Sequence, residues 1–568
     1  MLTILDTDVL IIGGGGAGLR AAIAAAQQGS SVVILDKGPV GRSGTTPMAM
    51  EAFQAVGHPE DSAEQHFKDT VRGGLYLGDE NLIWVLVTEA KKRVADLEKY
   101  GVHFKKKEDG SFDPMQHPGQ TFPRTLFIQG GGYGLLQALQ KEAHKHNRIR
   151  IISDVLVTNI IADKKGFPGG VIFLDLHDGE FKVIKCRAVI LATGGYEELW
   201  AFNDASVTAC GDGLFLAYEL GAELIDLEML QFYPTIVIYP PEVRGTLFQY
   251  ELVINPDLLG GRILNGRGET FFSGMPLRNV LLQAIWQEIR AGRGTEHGGV
   301  YIDLTASSLG RGALTAALNK WQPNQFLYLK DMGIDLRDTP VEVAPHAHYT
   351  MGGVAIDEKA QTSVLGLFAA GEVAGNLHGA NRVSGNALTE TQVFGAIAGA
   401  AAAAFAQQRG NIDLEKEAIE SREREIFWWG QIFQEKKIRP RKMREQLKEI
   451  MWKHCGIERN EAGLKKGLAE IAQLEKEIVS LGPFKNDYQP RQFGAYPQEI
   501  REALELRMML TLSRLVLTSA LFRQETRGHH IRIDYPLNAA EIKHTFIKKG
   551  REAWAGEVKR KGETNCPR

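Results

Sequence analysis

The stretch DVLIIGGGGAGLRAAIAAAQQGSSVVILD, Asp8 to Asp36, sets the architecture. Asp8 to Ile12 is a short apolar run of the kind that forms a buried strand. Gly13, Gly15 and Gly18 follow at GxGxxG spacing, with Ala17 and Gly18 opening an alanine-rich helix that Gly29 stops. Ser31 to Leu35 is a second apolar strand, ending at Asp36 and Lys37. On its own GxGxxG is a weak signal, equally open to a plain glycine turn. Enclosed by strand, helix, strand and a terminal acid, it reads as a βαβ dinucleotide unit. In that unit Gly13 permits the tight turn, Gly15 lets backbone approach a pyrophosphate, and Gly18 allows close helix packing. Asp36 is placed to accept ribose hydroxyls, and the helix N-terminus points its positive dipole end at the phosphates.

The remaining chain is ordinary in bulk and informative in detail. It has 568 residues, 44% hydrophobic and 24% charged, which suits several domains with a sizeable core. Lys+Arg number 66 against 69 Asp+Glu, so no net field recruits nucleic acid. Four cysteines, Cys186, Cys210, Cys455 and Cys566, stand without CxxC spacing, which predicts no metal site, no cluster and no disulfide framework. The N-terminus lacks a basic leader, and the apolar segment Val393 to Ala406 is shorter than the ~20 residues a bilayer requires. The expectation is a cytoplasmic protein with no direct membrane span, meeting a membrane only through a partner subunit.

Along the chain, Glu51 to about Phe104 has amphipathic helical spacing. Ile149 to Ile161 and Gly170 to Lys185 alternate as in a small antiparallel sheet. Ala188 to Gly195 is a buried strand running into a second glycine turn, and Thr208 to Gly213 opens a further helix. From 236 the rhythm changes and recovers only near 345, which reads as an insertion. The fold expectation is α/β: a Rossmann-like FAD-binding domain from 1–235 and 345–406, an inserted α+β capping domain at 236–344, and a helical C-terminal domain at 407–568. The segment from Glu541 onward carries eight Lys/Arg against four Glu and reads as a solvated tail.

Several motifs carry a family resemblance over nearly the whole chain. They are Arg42-Ser-Gly-Thr45, Ala192-Thr-Gly-Gly195, Gln231-Phe-Tyr-Pro-Thr235, His348-Tyr-Thr-Met-Gly-Gly353, Gly371-Glu372, His378 to Ala387, and Arg523-Gln-Glu-Thr-Arg-Gly-His-His530. The chain resembles the flavoprotein subunit of fumarate reductase and succinate dehydrogenase, whose wider family includes L-aspartate oxidase and the adenylylsulfate reductase flavoprotein. The resemblance implies FAD as cofactor and hydride transfer between flavin N5 and the C=C bond of an α,β-unsaturated carboxylate. It implies that His348 and Arg382 clamp a substrate carboxylate and that Arg278 delivers the proton. It also implies cofactor contacts from Ser43, Gly44, Thr45, Thr193, Gly194, Asp212, Gly371 and Glu372. Ser384, Asn386, Ala387 and Leu388 would bring a helix N-terminus toward the flavin pyrimidine, favouring an anionic reduced form. Electrons would come from an iron–sulfur partner subunit, since this chain has no cluster motif.

Three departures matter. Gly44 stands where respiratory members carry the histidine bonded to FAD, so a non-covalent cofactor is expected. Tyr233 replaces a second substrate-binding histidine. The family's Thr-Glu pair, which grips the second carboxylate and relays protons, has only Glu251 as counterpart. A phenol is uncharged below ~10, so the expected substrate has one carboxylate and a bulkier second end. The competing reading gives the second carboxylate to Arg244 or Arg262. Other readings on the same scaffold are an amino-acid oxidase, an adenylylsulfate-reductase-like enzyme, and a non-catalytic FAD electron-transfer subunit.

Overall fold

The computed structural model describes residues 4–50, 52–436, 439–480 and 497–562. Its centre is a seven-stranded sheet in the order Ile149–Ile152, Val32–Leu35, Ile4–Ile12, Phe181–Leu191, Pro168–Asp175, Val155–Ala162, with Leu367–Ala369 also pairing with Phe181–Leu191. The first four strands run parallel and the last two pairings antiparallel. The small antiparallel sheet expected from the sequence is therefore not separate. Phe181–Leu191 is eleven residues long. Its first half pairs with Pro168–Asp175 and its last three residues with Leu367–Ala369, so one strand carries both sheet styles. The core strands Val32–Leu35 and Val9–Ile12 are buried, as their unbroken apolar runs require when both faces are covered.

Two helices converge on the sheet's upper edge. Gly16–Gln27 follows the glycine turn, and Asn386–Gln407 packs across it. Small residues make the crossing close: a Cβ on Gly399 would lie 2.2 Å from Ala21 O, and one on Gly395 2.7 Å from Ala17 O. Ala52–Gln54 pairs with Thr125–Phe127, so the segment expected to be helical from Glu51 begins instead with a strand; the helices are Ala63–Gly73 and Glu80–Tyr100, while Glu51 itself lies outside the described residues.

A four-stranded sheet, Leu230–Tyr239, Val341–Thr350, Val300–Asp303 and Arg262–Leu264, supports a second hydrophobic core that includes Ile236, Val253, Ile285, Ile302 and Val343. The strands Leu230–Tyr239 and Val341–Thr350 pair antiparallel through two irregular steps in register around Phe232 to Ile236. They run continuously from the main body into this second core. Helices Lys416–Lys436, Pro440–Cys455, Glu461–Ser480 and Pro497–Phe522 follow.

The expectation of a solvated tail is corrected. Lys543–Lys548 and Arg551–Glu557 form a hairpin whose first strand pairs with Leu224–Ile225; residues 563–568 are outside the described set. The anchor is buried Asp226, which accepts from Thr545 N at 2.8 Å, pairs with His544 at 2.6 Å and with Arg523 at 2.8 Å. Burial penalises the Asp226 carboxylate, yet these cations hold its pKa below the usual range. Part of the segment's basic charge is paired with acids of the main body, Lys549 with Glu219 at 2.8 Å and Arg560 with Glu80 at 2.9 Å. The helical region after 407 accordingly ends in strands. No helix among the described residues is long and apolar enough to cross a membrane.

Candidate functional site

The glycine turn behaves as its spacing demands. Gly13 has φ +107°, and a Cβ there would lie 2.2 Å from Ala192 O; one on Gly18 would lie 1.9 Å from Gly13 O. Gly15 is different: its nearest neighbour would be Thr46 Oγ1 at 3.5 Å. Gly13 and Gly18 are therefore glycine because protein crowds them, while Gly15 is bare toward an open space. The helix beyond carries no acid in its first turn to repel an anion. Asn386–Gln407 likewise begins without an acid, after Gly385 at φ +88°.

That space is a continuous cavity of about 390 Å³ running from the glycine turn to the second core. Gly13, Gly15 and Ala17 border it at the turn, with Asp36, Lys37 and Asp212 at one end. Ser43, Gly44 and Thr45 form one wall; Thr193, Gly194, Gly371 and Glu372 form another. Ser384, Ala387 and Leu388 approach from the second helix. Gly18 does not border the cavity, because it is buried against Gly13. Asn386 does not either: its side chain is committed to His66 and Thr70. Asp36 borders the cavity but already accepts from Gly14 N at 2.5 Å, Gly38 N at 2.8 Å and Ser43 Oγ at 2.8 Å. Its first task is therefore to lock the glycine turn. Lys37 pairs with Asp212 at 2.8 Å and Glu505 at 3.2 Å, tying the last long helix to the cavity's end.

At the far end stand Tyr233, Arg278, His348 and Arg382, all bordering the cavity. Arg278 opens the helix Arg278–Glu288, Tyr233 and His348 come from the paired strands, and Arg382 from the loop before Asn386. The Arg278 guanidinium lies 4.7 Å from the Tyr233 ring centroid, and the Tyr233 and His348 rings are 4.9 Å apart. Glu251 does not reach the cavity. It sits behind, accepting from the Tyr233 hydroxyl at 2.5 Å and from Arg278 at 3.4 Å. Burial, the largest influence, pushes the Tyr233 hydroxyl well above its usual pKa, and the Glu251 charge adds to it. Neither Arg244 nor Arg262 borders the cavity: Arg244 lies 4.4 Å over the Phe202 ring and Arg262 pairs with Asp303 at 2.8 Å.

His348 Nδ1 contacts Asp204 at 2.9 Å, and its Nε2 meets Arg382 Nη2 at 3.2 Å. Since arginine only donates, Nε2 accepts and Nδ1–H donates to Asp204, which assigns the neutral tautomer. Burial lowers the His348 pKa against the opposing pull of Asp204. Burial, then Arg278, lowers Arg382 to about 10. Two guanidiniums and an imidazole thus share one end with Arg382 Nε buried and unpaired. The two guanidiniums are the donors that fit an incoming carboxylate, with His348 accepting from Arg382 and orienting it. The unpaired buried Thr193 Oγ1 and the bare Gly15 backbone, farther along, fit a polar, phosphate-bearing cofactor.

Asp204, His117 and Glu197 carry no signal in the sequence, and Gln231 shows only as the first residue of the Gln231 to Thr235 motif. Asp204 lies in an irregular loop and orients His348. Gln231 accepts from Arg278 Nη1 at 3.0 Å and donates to Arg382 O at 2.9 Å, which ties the two arginines together. His117 meets Ser384 Oγ at 3.1 Å. Glu197 shares the Thr350 N–H with Glu372, at 2.9 and 3.1 Å, which brings the two carboxyls together. Burial first, then its partner's charge, drives Glu197 well above the usual carboxylate range. The C-terminal motif has a structural role as well: His529 accepts from Phe232 N and contacts Asn381, which in turn meets Gln231.

Comparison with known proteins agrees with this geometry. Residues 8–388 match the FAD binding domain family, and residues 444–561 match the fumarate reductase flavoprotein C-terminal family. The chain is 37% identical to one of the subunits of the fumarate reductase (CoM/CoB) of Methanothermobacter marburgensis, over 95% of this chain and 97% of that one. It is 30% identical to the fumarate reductase flavoprotein subunit of Escherichia coli, over 95% and 91%. A structure of E. coli quinol fumarate reductase superposes with TM-score 0.87 at 27% identity, covering 99% of this chain and 98% of that one. Adenylylsulfate reductase from Archaeoglobus fulgidus shares the fold, with TM-score 0.79 at 21% identity over 98% and 96%. With its nucleotide turn, its cavity and its cationic far end in place, the chain belongs to the fumarate reductase and succinate dehydrogenase flavoprotein family and is an FAD-dependent oxidoreductase.

Proposed function

We propose that the protein reduces the carbon–carbon double bond of an α,β-unsaturated monocarboxylate whose second end is bulkier than a carboxylate. The observation that carries this is the grouping of Arg278, His348 and Arg382 at one end of the cofactor cavity, beside a phenol in place of a further cation. FAD bound in the cavity supplies the hydride. The protein's part is to bind and polarise the acceptor. Arg382, oriented by His348 Nε2, holds the substrate carboxylate, where negative charge grows as hydride arrives, and its fixed guanidinium charge binds that developing charge more tightly than the ground state. Arg278, held in place by Gln231 and Glu251, provides the proton for the other carbon. Its pKa is raised: burial works downward, but Glu251, Tyr233 and Tyr250 outweigh it. It therefore gives up a proton only while being resupplied.

Gly44 borders the cavity where an attaching side chain would stand, which supports a non-covalent cofactor. The relatives are named as subunits of reductases, and with no metal-holding group among the described residues an iron–sulfur partner supplies the electrons. The test is reoxidation of the dithionite-reduced holoenzyme under argon by a panel of enoates. Reoxidation by at least one monocarboxylate supports the reading. Failure with all of them, together with amino-acid turnover on oxygen, would replace it with an oxidase.

A further inference from the structure

Arg278 has two hydrogen-bonded neighbours through which a proton could return, and they differ in where they lead. Glu251 is one. Among the described residues its carboxylate reaches only Tyr233 and Arg278. Tyr250, Leu252 and Val253 around it are buried, so that route has no polar outlet. The other is Ser384. Arg278 Nη2 donates to Ser384 Oγ at 3.2 Å, and Ser384 Oγ meets His117 Nδ1 at 3.1 Å. His117 is 4% exposed, yet its Nε2 is buried with no partner among the described residues. An imidazole nitrogen left unpaired at such depth is costly unless it has a use. The chain neighbours of His117 are at the surface: Gln116 is exposed, and Pro118 and Gly119 are half-buried. His117 thus ends a hydrogen-bonded chain that finishes on Arg278, and it sits on a segment whose neighbouring residues reach the surface.

We propose that His117 and Ser384 form the proton entry path that recharges Arg278. The inference rests on the reading of Arg278 as proton donor given above. After Arg278 has given its Nη2 proton to substrate carbon, its nitrogen becomes an acceptor. The Ser384 O–H bond then breaks as the Nη2–H bond re-forms, the His117 Nδ1–H bond breaks as a new Ser384 O–H bond forms, and a solvent proton binds His117 Nε2. One proton moves inward and no electron moves. A neutral imidazole is needed at rest, so that Nε2 has a free lone pair. Burial keeps His117 below its usual pKa; the facing charges are Glu251, which opposes this, and Arg278, which reinforces it.

His117 and Ser384 are positioning and relay residues, so the test must separate relay from packing. In the holoenzyme, His117→Gln is expected to lower kcat by roughly 100-fold, the usual scale of a lost proton-transfer group. KM, bound FAD and the rate of flavin reduction by dithionite should stay as in the wild type, and added imidazole should restore kcat. Ser384→Ala should lose turnover as well. Independently of activity, ring-labelled histidine NMR of the substrate-free holoenzyme should show the signal absent from His117→Gln moving when Ser384 becomes alanine. Wild-type kcat in His117→Gln, a change confined to KM, or loss of FAD each overturns the inference. Arg278→Lys, assayed in parallel, separates the two ideas: an inactive lysine variant beside an unaffected His117→Gln removes only the entry path. An active lysine variant removes the role of Arg278 itself.

Discussion

The Tyr233 hydroxyl is spent on Glu251, in a 2.5 Å hydrogen bond, while its ring lies under the Arg278 guanidinium. A phenol has one proton to donate, and here a buried carboxylate takes it. What Tyr233 presents to the cavity is therefore its ring, flanked by the Arg278 guanidinium and the His348 imidazole, with no free hydroxyl for a second carboxylate. With reduced viologen as donor, cinnamate and urocanate should each give a higher kcat/KM than fumarate. A fumarate value ahead of both by a wide margin overturns the assignment of a monocarboxylate. Tyr233→Phe should also reduce stability by about 1–3 kcal/mol in urea unfolding, since Glu251 loses its short partner inside the protein.

FAD is expected to leave the protein on acid precipitation, with all the yellow colour in the supernatant. Gly44 has φ +80° and offers no side chain to attach. Flavin remaining in the pellet would refute a dissociable cofactor.

Arg278→Lys and Arg382→Lys should each cost at least roughly 100-fold in kcat/KM while FAD stays bound. Lysine keeps the charge but loses the planar fork that reaches Gln231, Glu251 and Ser384 at once, or His348 and the substrate together. Flavin absorbance on the purified variants checks occupancy, and loss of FAD would move either residue from the substrate to the cofactor.

Asp204→Asn should raise KM for the enoate and lower the His348 pKa further. Asp204 works to raise that pKa against burial, so neutralising it removes the only named opposition. The pH profile of kcat/KM measures the direction, and an upward displacement of the limb assigned to His348 would contradict it.

His66 predicts acid sensitivity. It is buried against Asn386, and burial, reinforced by Arg124, lowers its pKa from 6.5 to about 3. Between those values the unfolded chain holds a proton that the folded protein excludes. Stability attributable to His66 is therefore complete above 6.5 and falls by about 1.4 kcal/mol per pH unit as pH drops toward 3. His66→Gln should flatten that part of the urea-midpoint curve; parallel curves for variant and wild type would sink the prediction.

The nucleotide end is written in the chain itself. Gly13, Gly15 and Gly18 are legible because a tight turn and close backbone approach admit no other residue there, so the constraint is local and leaves a local mark. His348 and Arg382 are legible because unusual short motifs surround them. What those residues are bonded to is set only by folding. Asp204 reaches His348 across 144 positions, Ser384 reaches His117 across 267, and Glu197 reaches the Thr350 backbone across 153. Asp204, His117 and Glu197 sit in no pattern, and the motif around Ser384 does not name its partner, because a hydrogen bond constrains only the two atoms that make it. The same reason explains the C-terminal segment: its charges read as solvated in a linear chain, and only folding brings His544 and Arg523 onto Asp226. Periodicity and turn chemistry act along the chain, and the sequence carries them. The proton path, the histidine tautomer and the Glu197–Glu372 pair depend on distances across the chain, which arise only when the strands Leu230–Tyr239 and Val341–Thr350 and the helix Asn386–Gln407 meet around one cavity.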